Sequence, residues 1–478
     1  MIFKDVASLR SAGFSPKVCI IGSGPAGISL ALKLEKKKIP CLILEAGDYS
    51  FDPAVQEAYQ GKVIGDPYFD LAGARLRYFG GSSGHWAGMC RPLDDVDFEP
   101  RKGMKNSGWP IRKKDLDPYS EEAQAILEIH PFDADEPMNK DLRKVFFQYS
   151  TPVRFGQKYR KHIEESKTIG LLFNSPLVDI SPVAGRIDHV KVNTKEGTPE
   201  KITAPYFCLC TGGIENSRLL LWANELHNGG VVPHAKTLGK YWMEHPIFGA
   251  GDAILSNAFS MRSNTHDQMT HIAPTREFLH RTGCGNFGLR LFSGGNLKAL
   301  VKSGLCIAPE YFTKLAQKID HNVACAVVFR MCWEQIPVST NRIELGKEKD
   351  ATGIPRPILF WKKQPEDRHT AEMAVQTLGG YLATEDRGRV KAVEWLANGL
   401  DYPEDDEKAG FHHMGGTRMG NSPAEGIVDK DCKVFGVENL YIGGSSVFTT
   451  GGFTNPTYAI VQLALRLGDH LERQISQA

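Results

Sequence analysis

Apolar residues fall in short unbroken runs near both ends of the chain and alternate with polar ones through its middle. Lys17–Ile21 and Cys41–Glu45 read as buried strands, and Pro25–Lys38 between them sets Ile28, Leu30, Leu32 and Leu34 among helical positions. This strand–turn–helix–strand unit predicts the start of a parallel sheet. Residues 46–110, rich in Gly, Asp, Arg and Pro, predict a long, partly extended loop segment, and Lys114–Ile129 has helical periodicity. Leu171–Lys195 carries two β-rich runs about Ala184-Gly185, the pattern of a hairpin. Tyr206–Cys210 is a third buried strand, followed by Thr211-Gly212-Gly213 and an apolar helix through Leu221. Between 246 and 400, short runs such as Val323–Phe329 and Arg342–Leu345 alternate with polar turns and predict a mostly antiparallel sheet with helices. Gly295–Ile319 reads as a helical excursion or lid. Glycine-rich loops return from Gly410, and Pro456–Leu471 is a strongly apolar final helix.

The first turn carries chemistry. Gly22-Ser23-Gly24-Pro25-Ala26-Gly27 fits G-x-G-x-x-G after a strand and before a helix. Gly22 allows the tight turn, Gly24 lets a pyrophosphate approach the backbone, and Gly27 lets helix pack on strand. The helix N-terminus offers free N–H groups to phosphate. Glu45, closing the second strand, can accept both ribose hydroxyls of an adenosine and would repel a 2′-phosphate. The unit binds a dinucleotide; it does not separate FAD from NAD.

Four later segments do. They are Arg77-Tyr78-Phe79-Gly80-Gly81-Ser82-Ser83-Gly84-His85-Trp86, Thr211-Gly212-Gly213-Ile214-Glu215-Asn216, Phe411-His412-His413-Met414-Gly415-Gly416-Thr417, and Asn439 to Ser446 with Thr454-Asn455-Pro456-Thr457. In this order the chain resembles the glucose–methanol–choline (GMC) flavoenzymes, closest in motif to pyranose oxidase-like and bacterial sugar dehydrogenase members. The resemblance implies an α/β fold: a Rossmann-like FAD-binding domain with a parallel sheet, plus a substrate domain built on a mostly antiparallel sheet. It assigns 1–100, 165–245 and 405–478 to the FAD domain, 101–164 to a connecting or lid segment and 246–404 to the substrate domain. It implies FAD contacts from the glycine loop, from Glu45-Ala46, and from Arg77, Gly80, Gly81, Ser82, Ser83, His85, Trp86 and Ala87. Further contacts are implied for Val178 by its backbone, and for Thr211, Gly212, Glu215, Ser446, Asn455, Pro456 and Thr457. His85 sits where pyranose oxidase carries a histidine bonded covalently to FAD, although non-covalent binding is the expected form here.

The family's H-x-x-x-T pattern places its catalytic histidine at His413, with Asn455 as partner. Oxidising an alcohol needs a base within hydrogen-bond reach of the hydroxyl and a hydride acceptor facing the same carbon. A neutral imidazole can take the proton while flavin N5 takes the hydride. The amide of Asn455 cannot titrate, but it can donate to the developing alkoxide. His412 is the rival within the pair. The last helix would point its N-terminus at the flavin pyrimidine edge and favour the anionic reduced form. A sugar, glycoside or polyol is the expected substrate. A cyanohydrin-type lyase of the same fold and a non-catalytic flavoprotein are the alternatives.

Composition narrows the partners. With 41% apolar and 24% charged residues and a formal net charge of +1, the chain reads as a globular protein with no overall field for nucleic acid. No apolar run is long enough for a membrane span. The ten cysteines form no C-x-x-C pair and read as buried thiols in a reducing, cytoplasmic setting. No carboxylate or cysteine cluster completes a metal site around His412-His413. Oxygen or an external carrier could each take the electrons, and a homo-oligomer is compatible with everything above.

Overall fold

The computed structural model describes all residues except 195–196, 256–268, 294–326, 405, 409 and 478. Its parallel sheet has six strands in the order Ile2–Phe3, Ile169–Leu172, Cys41–Leu44, Val18–Ile21, Tyr206–Leu209, Leu440–Ile442. The four residues of Val18–Ile21 and of Cys41–Leu44 are all buried, which explains their unbroken apolar pattern: both faces of the sheet are covered. The helices Pro25–Lys36 and Thr457–Gln477 share this core through Leu30, Leu34, Leu463 and Leu467. Each leucine there contributes about 2 kcal/mol by leaving water, and Leu34→Ala would cost about 2–5 kcal/mol.

The second sheet has eight strands. Its path is Gly388–Ala392, Ile247–Leu255, Val327–Trp333, Phe287–Ser293, Met269–Pro274, Leu142–Tyr149 and Met89–Cys90, with Glu136–Pro137 beside Leu142–Tyr149. All its pairings are antiparallel. The helix Pro365–Thr384 buries Ala371, Ala374, Leu378 and Leu382 in that sheet's own core. The expected parallel sheet and mostly antiparallel sheet are both present, beside two three-stranded sheets. The antiparallel sheet also takes Met89–Cys90, Glu136–Pro137 and Leu142–Tyr149 from outside the 246–404 span.

Two local expectations change. Residues 46–110 are not all loop, because Lys62–Gly65 pairs in parallel with Pro355–Trp361. The helix expected over Lys114–Ile129 spans only Ser120–Leu127. Pro118 has no N–H to continue a helix, and short 3₁₀ turns at Lys113–Asp115 and Asp117–Tyr119 precede it. The Gly295–Ile319 excursion and residues 323–326 lie outside the described residues. The hairpin about Ala184-Gly185 is present as Leu177–Val183 paired with Arg186–Asn193. Among the described residues no helix is long and apolar enough to cross a membrane, and eight cysteines are free, seven of them buried.

Candidate active site

The carboxyl ends of the parallel strands open onto a cavity of about 500 Å³. Its floor is the glycine turn. Gly22 has φ +102°, a conformation L side chains rarely adopt, and a Cβ there would lie 2.6 Å from the Cys210 carbonyl oxygen. A Cβ on Gly27 would lie 2.0 Å from the Gly22 oxygen, so helix and turn can meet only at glycine. Gly24 caps the helix with no side-chain hydrogen bond, and a Cβ added to it meets nothing within 4 Å. The helix N-terminus is thus open toward the cavity and fits a pyrophosphate. Glu45 is buried on the wall; one carboxylate oxygen accepts from the Gly47 N–H at 2.9 Å and the other from the Ser23 N–H at 3.2 Å and the Ser23 hydroxyl. Arg77, also on the wall, leaves a buried guanidinium nitrogen with no partner in the protein. An open glycine cradle, an adjacent carboxylate and an unpaired cationic donor fit a flavin adenine dinucleotide.

The other end of the cavity is built from the C-terminal loops. Asn455 Nδ2 lies 3.0 Å from His412 Nε2. His412 Nδ1 lies 2.8 Å from His245 Nδ1, the two rings meeting edge-on at 4.9 Å and 82°. His413 turns the other way: its Nε2 is 3.0 Å from the Tyr68 hydroxyl, and its ring packs 5.7 Å from Trp242. One carboxyl joins the two arms. Glu244 Oε1 accepts the backbone N–H of His412 at 2.7 Å and of His245 at 2.8 Å, while Oε2 accepts from Tyr68 at 2.6 Å. Phe411, just before His412, has φ +52°, a strained value for an aromatic residue. The loop bearing Asn455 is fixed from below. Glu334 accepts from the Gly452 N–H at 3.1 Å and from Arg101 at 2.7 Å, and the Thr450 hydroxyl donates to the Asp97 carbonyl at 2.6 Å.

Burial sets the electrostatics. It holds His412 well below the ordinary imidazole range, with His245 and His413 adding smaller repulsions. It holds His413 down to about 3, helped by Arg75 and His85, and His245 down to about 4. All three imidazoles are neutral near pH 7, as a proton acceptor must be. The same burial pushes Glu244 up to about 7 and Tyr68 well above its usual value, Glu244 adding to the latter.

Most residues expected at the cofactor line the cavity: Gly22, Gly24, Pro25, Ala26, Glu45, Ala46, Arg77, Gly81, Ser82, Ser83, His85, Trp86, Ala87, Thr211, Gly212, Glu215, Asn455, Pro456 and Thr457. Gly27, Gly80, Val178 and Ser446 are absent from its wall. Gly27 sits against the Gly22 backbone, and Gly80 donates its N–H to the Ser23 carbonyl at 3.2 Å. Strand alternation gives the wall to Leu177, and the Val178 carbonyl is taken by the Trp222 indole at 3.3 Å. Ser446 is fully buried and bonds Asn216 at 2.8 Å, so its neighbour Ser445 reaches the cavity instead. His85 stacks on Phe411, with ring centroids 6.1 Å apart and 17° between planes. The sequence paired His413 with Asn455; the structure joins Asn455 to His412. Tyr68 carried no sequence signal, and neither Glu244 nor His245 was singled out by the sequence pattern.

Comparison with known proteins agrees with this architecture. Residues 337–464 match the family model for GMC oxidoreductase, in its C-terminal part. The 2-methyl-1,2-propanediol dehydrogenase of Mycolicibacterium austroafricanum is 27% identical over 96% of this chain and 95% of its own length. The fructose dehydrogenase large subunit of Gluconobacter japonicus is 25% identical over 61% of this chain and 52% of its own. Among solved structures, pyridoxine 4-oxidase from Mesorbium loti superposes with a TM-score of 0.59 at 15% identity, covering 97% of this chain and 100% of that one. A variant of the formate oxidase of Aspergillus oryzae gives 0.58 at 14%, covering 97% and 99%. The two structures share the fold. Residues 337–464 thus match the C-terminal domain of the GMC oxidoreductases, and the motif order and sheet architecture of the rest of the chain agree with that match.

Proposed function

We propose that this oxidoreductase uses FAD to convert a CH–OH group of a small polyol or sugar to a carbonyl, with His412 as the base and Asn455 as the hydroxyl-holding donor. The observation that carries this reading is the His412–Asn455 pair, set on the wall of the same cavity as the dinucleotide cradle. His413, favoured by its spacing to Thr417, also lines the cavity, but its ring is buried with one nitrogen already bonded to Tyr68. His412 and Asn455 are the more accessible pair.

The division of labour follows from donor and acceptor types. The Asn455 amide nitrogen donates and the His412 Nε2 lone pair accepts, so a substrate hydroxyl can enter between them and satisfy both. Its oxygen takes the Asn455 N–H, and its proton points at His412 Nε2. As that proton moves to His412, negative charge grows on the oxygen facing the amide donor. Bound flavin supplies the hydride acceptor for the C–H electron pair. The walls exclude water from the imidazole, which keeps it neutral until it is used.

Polyols and sugars are favoured because the two sequence relatives are named for a vicinal diol and for fructose. Both are named dehydrogenases, which favours an external carrier over oxygen. The 246–404 segment is read as the substrate side, with Ile247 on the wall. Non-covalent flavin belongs to this reading, since the His85 ring is already packed on Phe411; acid precipitation should then release all the flavin. The free cysteines favour the cytoplasm.

The test is anaerobic mixing of the FAD-loaded enzyme with a panel of diols, sugars and simple alcohols, followed by air. The reading expects bleaching of the flavin by at least one diol or sugar and slow recovery in air. A flavin left oxidised by every alcohol would favour a lyase or a non-catalytic flavoprotein.

A further inference from the structure

The geometry points to His245 as a positioning residue that fixes the tautomer of His412, keeping the proton on Nδ1 and the lone pair on Nε2 toward Asn455 and the substrate hydroxyl. This rests on the reading of His412 as the base.

The Asn455 amide nitrogen can only donate, so His412 Nε2, 3.0 Å away, must accept. Neutral His412 then carries its single proton on Nδ1. That nitrogen lies 2.8 Å from His245 Nδ1, a separation that needs one donor and one acceptor. His245 Nδ1 is therefore the bare nitrogen, and its own proton sits on Nε2. Reversing the pair would put the His412 proton on Nε2, against the Asn455 donor, and leave no lone pair for the substrate.

The surroundings hold His245 to this task. Its Nε2 is fully enclosed, with no side-chain partner, and the backbone of Gly451 and Gly452 beside the ring favours a proton there. The enclosing wall is close: a Cβ on Gly451 would lie 3.0 Å from that Nε2. The His245 backbone shares Glu244 Oε1 with the backbone of His412, so one oxygen sets the spacing of both residues. Pro246 follows and removes freedom from the next bond.

The consequence is chemical. In turnover the substrate O–H bond breaks, an N–H bond forms at His412 Nε2, and the C–H electron pair leaves as hydride to bound flavin. His412 becomes an imidazolium whose Nδ1–H already points at a neutral acceptor, and that hydrogen bond strengthens as the charge appears. An uncharged acceptor stabilises the cation less than a carboxylate would, so it raises the basicity of the resting imidazole by less.

The test compares His245→Asn, His245→Leu and His412→Ala as FAD-loaded enzymes, with ¹⁵N-histidine NMR beside turnover. Asparagine can set its oxygen where Nδ1 stood; leucine cannot accept. The expected result is a wild-type His412 protonated at Nδ1 and bare at Nε2, a pattern kept in His245→Asn and mixed in His245→Leu. The kcat of His245→Leu should fall about 100-fold with KM little changed, while His245→Asn stays within about tenfold of wild type. A wild-type His412 protonated at Nε2, or a flavin-loaded His245→Leu with full kcat, would overturn the inference. Should His245→Leu not fold, the wild-type spectrum and His245→Asn decide, and an inactive but flavin-loaded His245→Asn counts against it. Undiminished turnover in His412→Ala would instead remove the base assignment beneath it.

Discussion

Asn455 and His412 meet at 3.0 Å across the end of the cavity, although 43 residues separate them in sequence and they ride on different loops. The two segments also meet upstream of Asn455, where the Ser445 hydroxyl donates to the His413 carbonyl at 2.6 Å and the Ser445 carbonyl accepts the Gly415 N–H at 3.0 Å. The Asn455 loop hangs on Glu334 and Asp97, and the His412 loop hangs on Glu244. The pair is a product of two sheets packed together, and its chemistry can be tested one side chain at a time.

Asn455→Leu keeps the approximate volume and removes the donor. The rate of flavin reduction should fall about 100-fold, the usual cost of one donor lost from a developing oxyanion. Flavin content should be unchanged. Stopped-flow absorbance of the bleaching step reads both. A rate within a few-fold of wild type would mean that the hydroxyl is held by some other group.

The glycine turn gives a contrast between two neighbours. Gly24 has φ −71°, which alanine adopts freely, and nothing lies within 4 Å of its missing Cβ. Gly24→Ala should leave the melting temperature of flavin-free protein unchanged while weakening FAD, because the methyl enters space read as the cofactor's. Gly27→Ala drives a Cβ to 2.0 Å from the Gly22 oxygen. It should cost about 1–3 kcal/mol of stability whether flavin is present or not. Thermal melts of flavin-free protein and a fluorescence titration with FAD separate the two effects.

Glu244 supplies a pH prediction. Burial pushes its carboxyl up to about 7, above the ordinary carboxyl range. The folded protein therefore binds this proton more tightly than the unfolded chain. The stability it contributes is full below the ordinary carboxyl value and is lost as pH rises through about 7. Glu244→Gln keeps an oxygen for the two backbone N–H groups and offers an amide to the Tyr68 oxygen, so it avoids that loss. Melting temperatures of variant and wild type should agree near pH 5 and separate near pH 8.5, with the variant higher. A gap that does not change with pH would contradict the assignment.

The sequence was most informative where the backbone itself is the functional group. Gly22, Gly24 and Gly27 announce the cradle because no other residue fits the turn, and Val18–Ile21 announces its strand because both faces are buried. It was least informative where function depends on which way a ring turns. His412 and His413 are adjacent, and spacing to Thr417 favoured His413. The facts that favour His412 are tertiary: Trp242 and Tyr68 pack around His413, while His245 and Asn455 bracket His412. Tyr68 lies in a Pro- and Asp-rich stretch that reads as loop, and its contact with His413 spans 345 residues. At Val178 the expected contact is through the backbone; the neighbouring Leu177 lines the cavity, and the Val178 carbonyl accepts from the Trp222 indole at 3.3 Å.

The central claim is that His412, not His413, takes the substrate proton. Its most direct measurement is the anaerobic rate of flavin reduction in His412→Ala and His413→Ala, with one reducing substrate and matched flavin occupancy. His412→Ala should be slowed about 100-fold or more, and His413→Ala by no more than about tenfold. The reverse order, with His413→Ala inert and His412→Ala near wild type, would contradict the account.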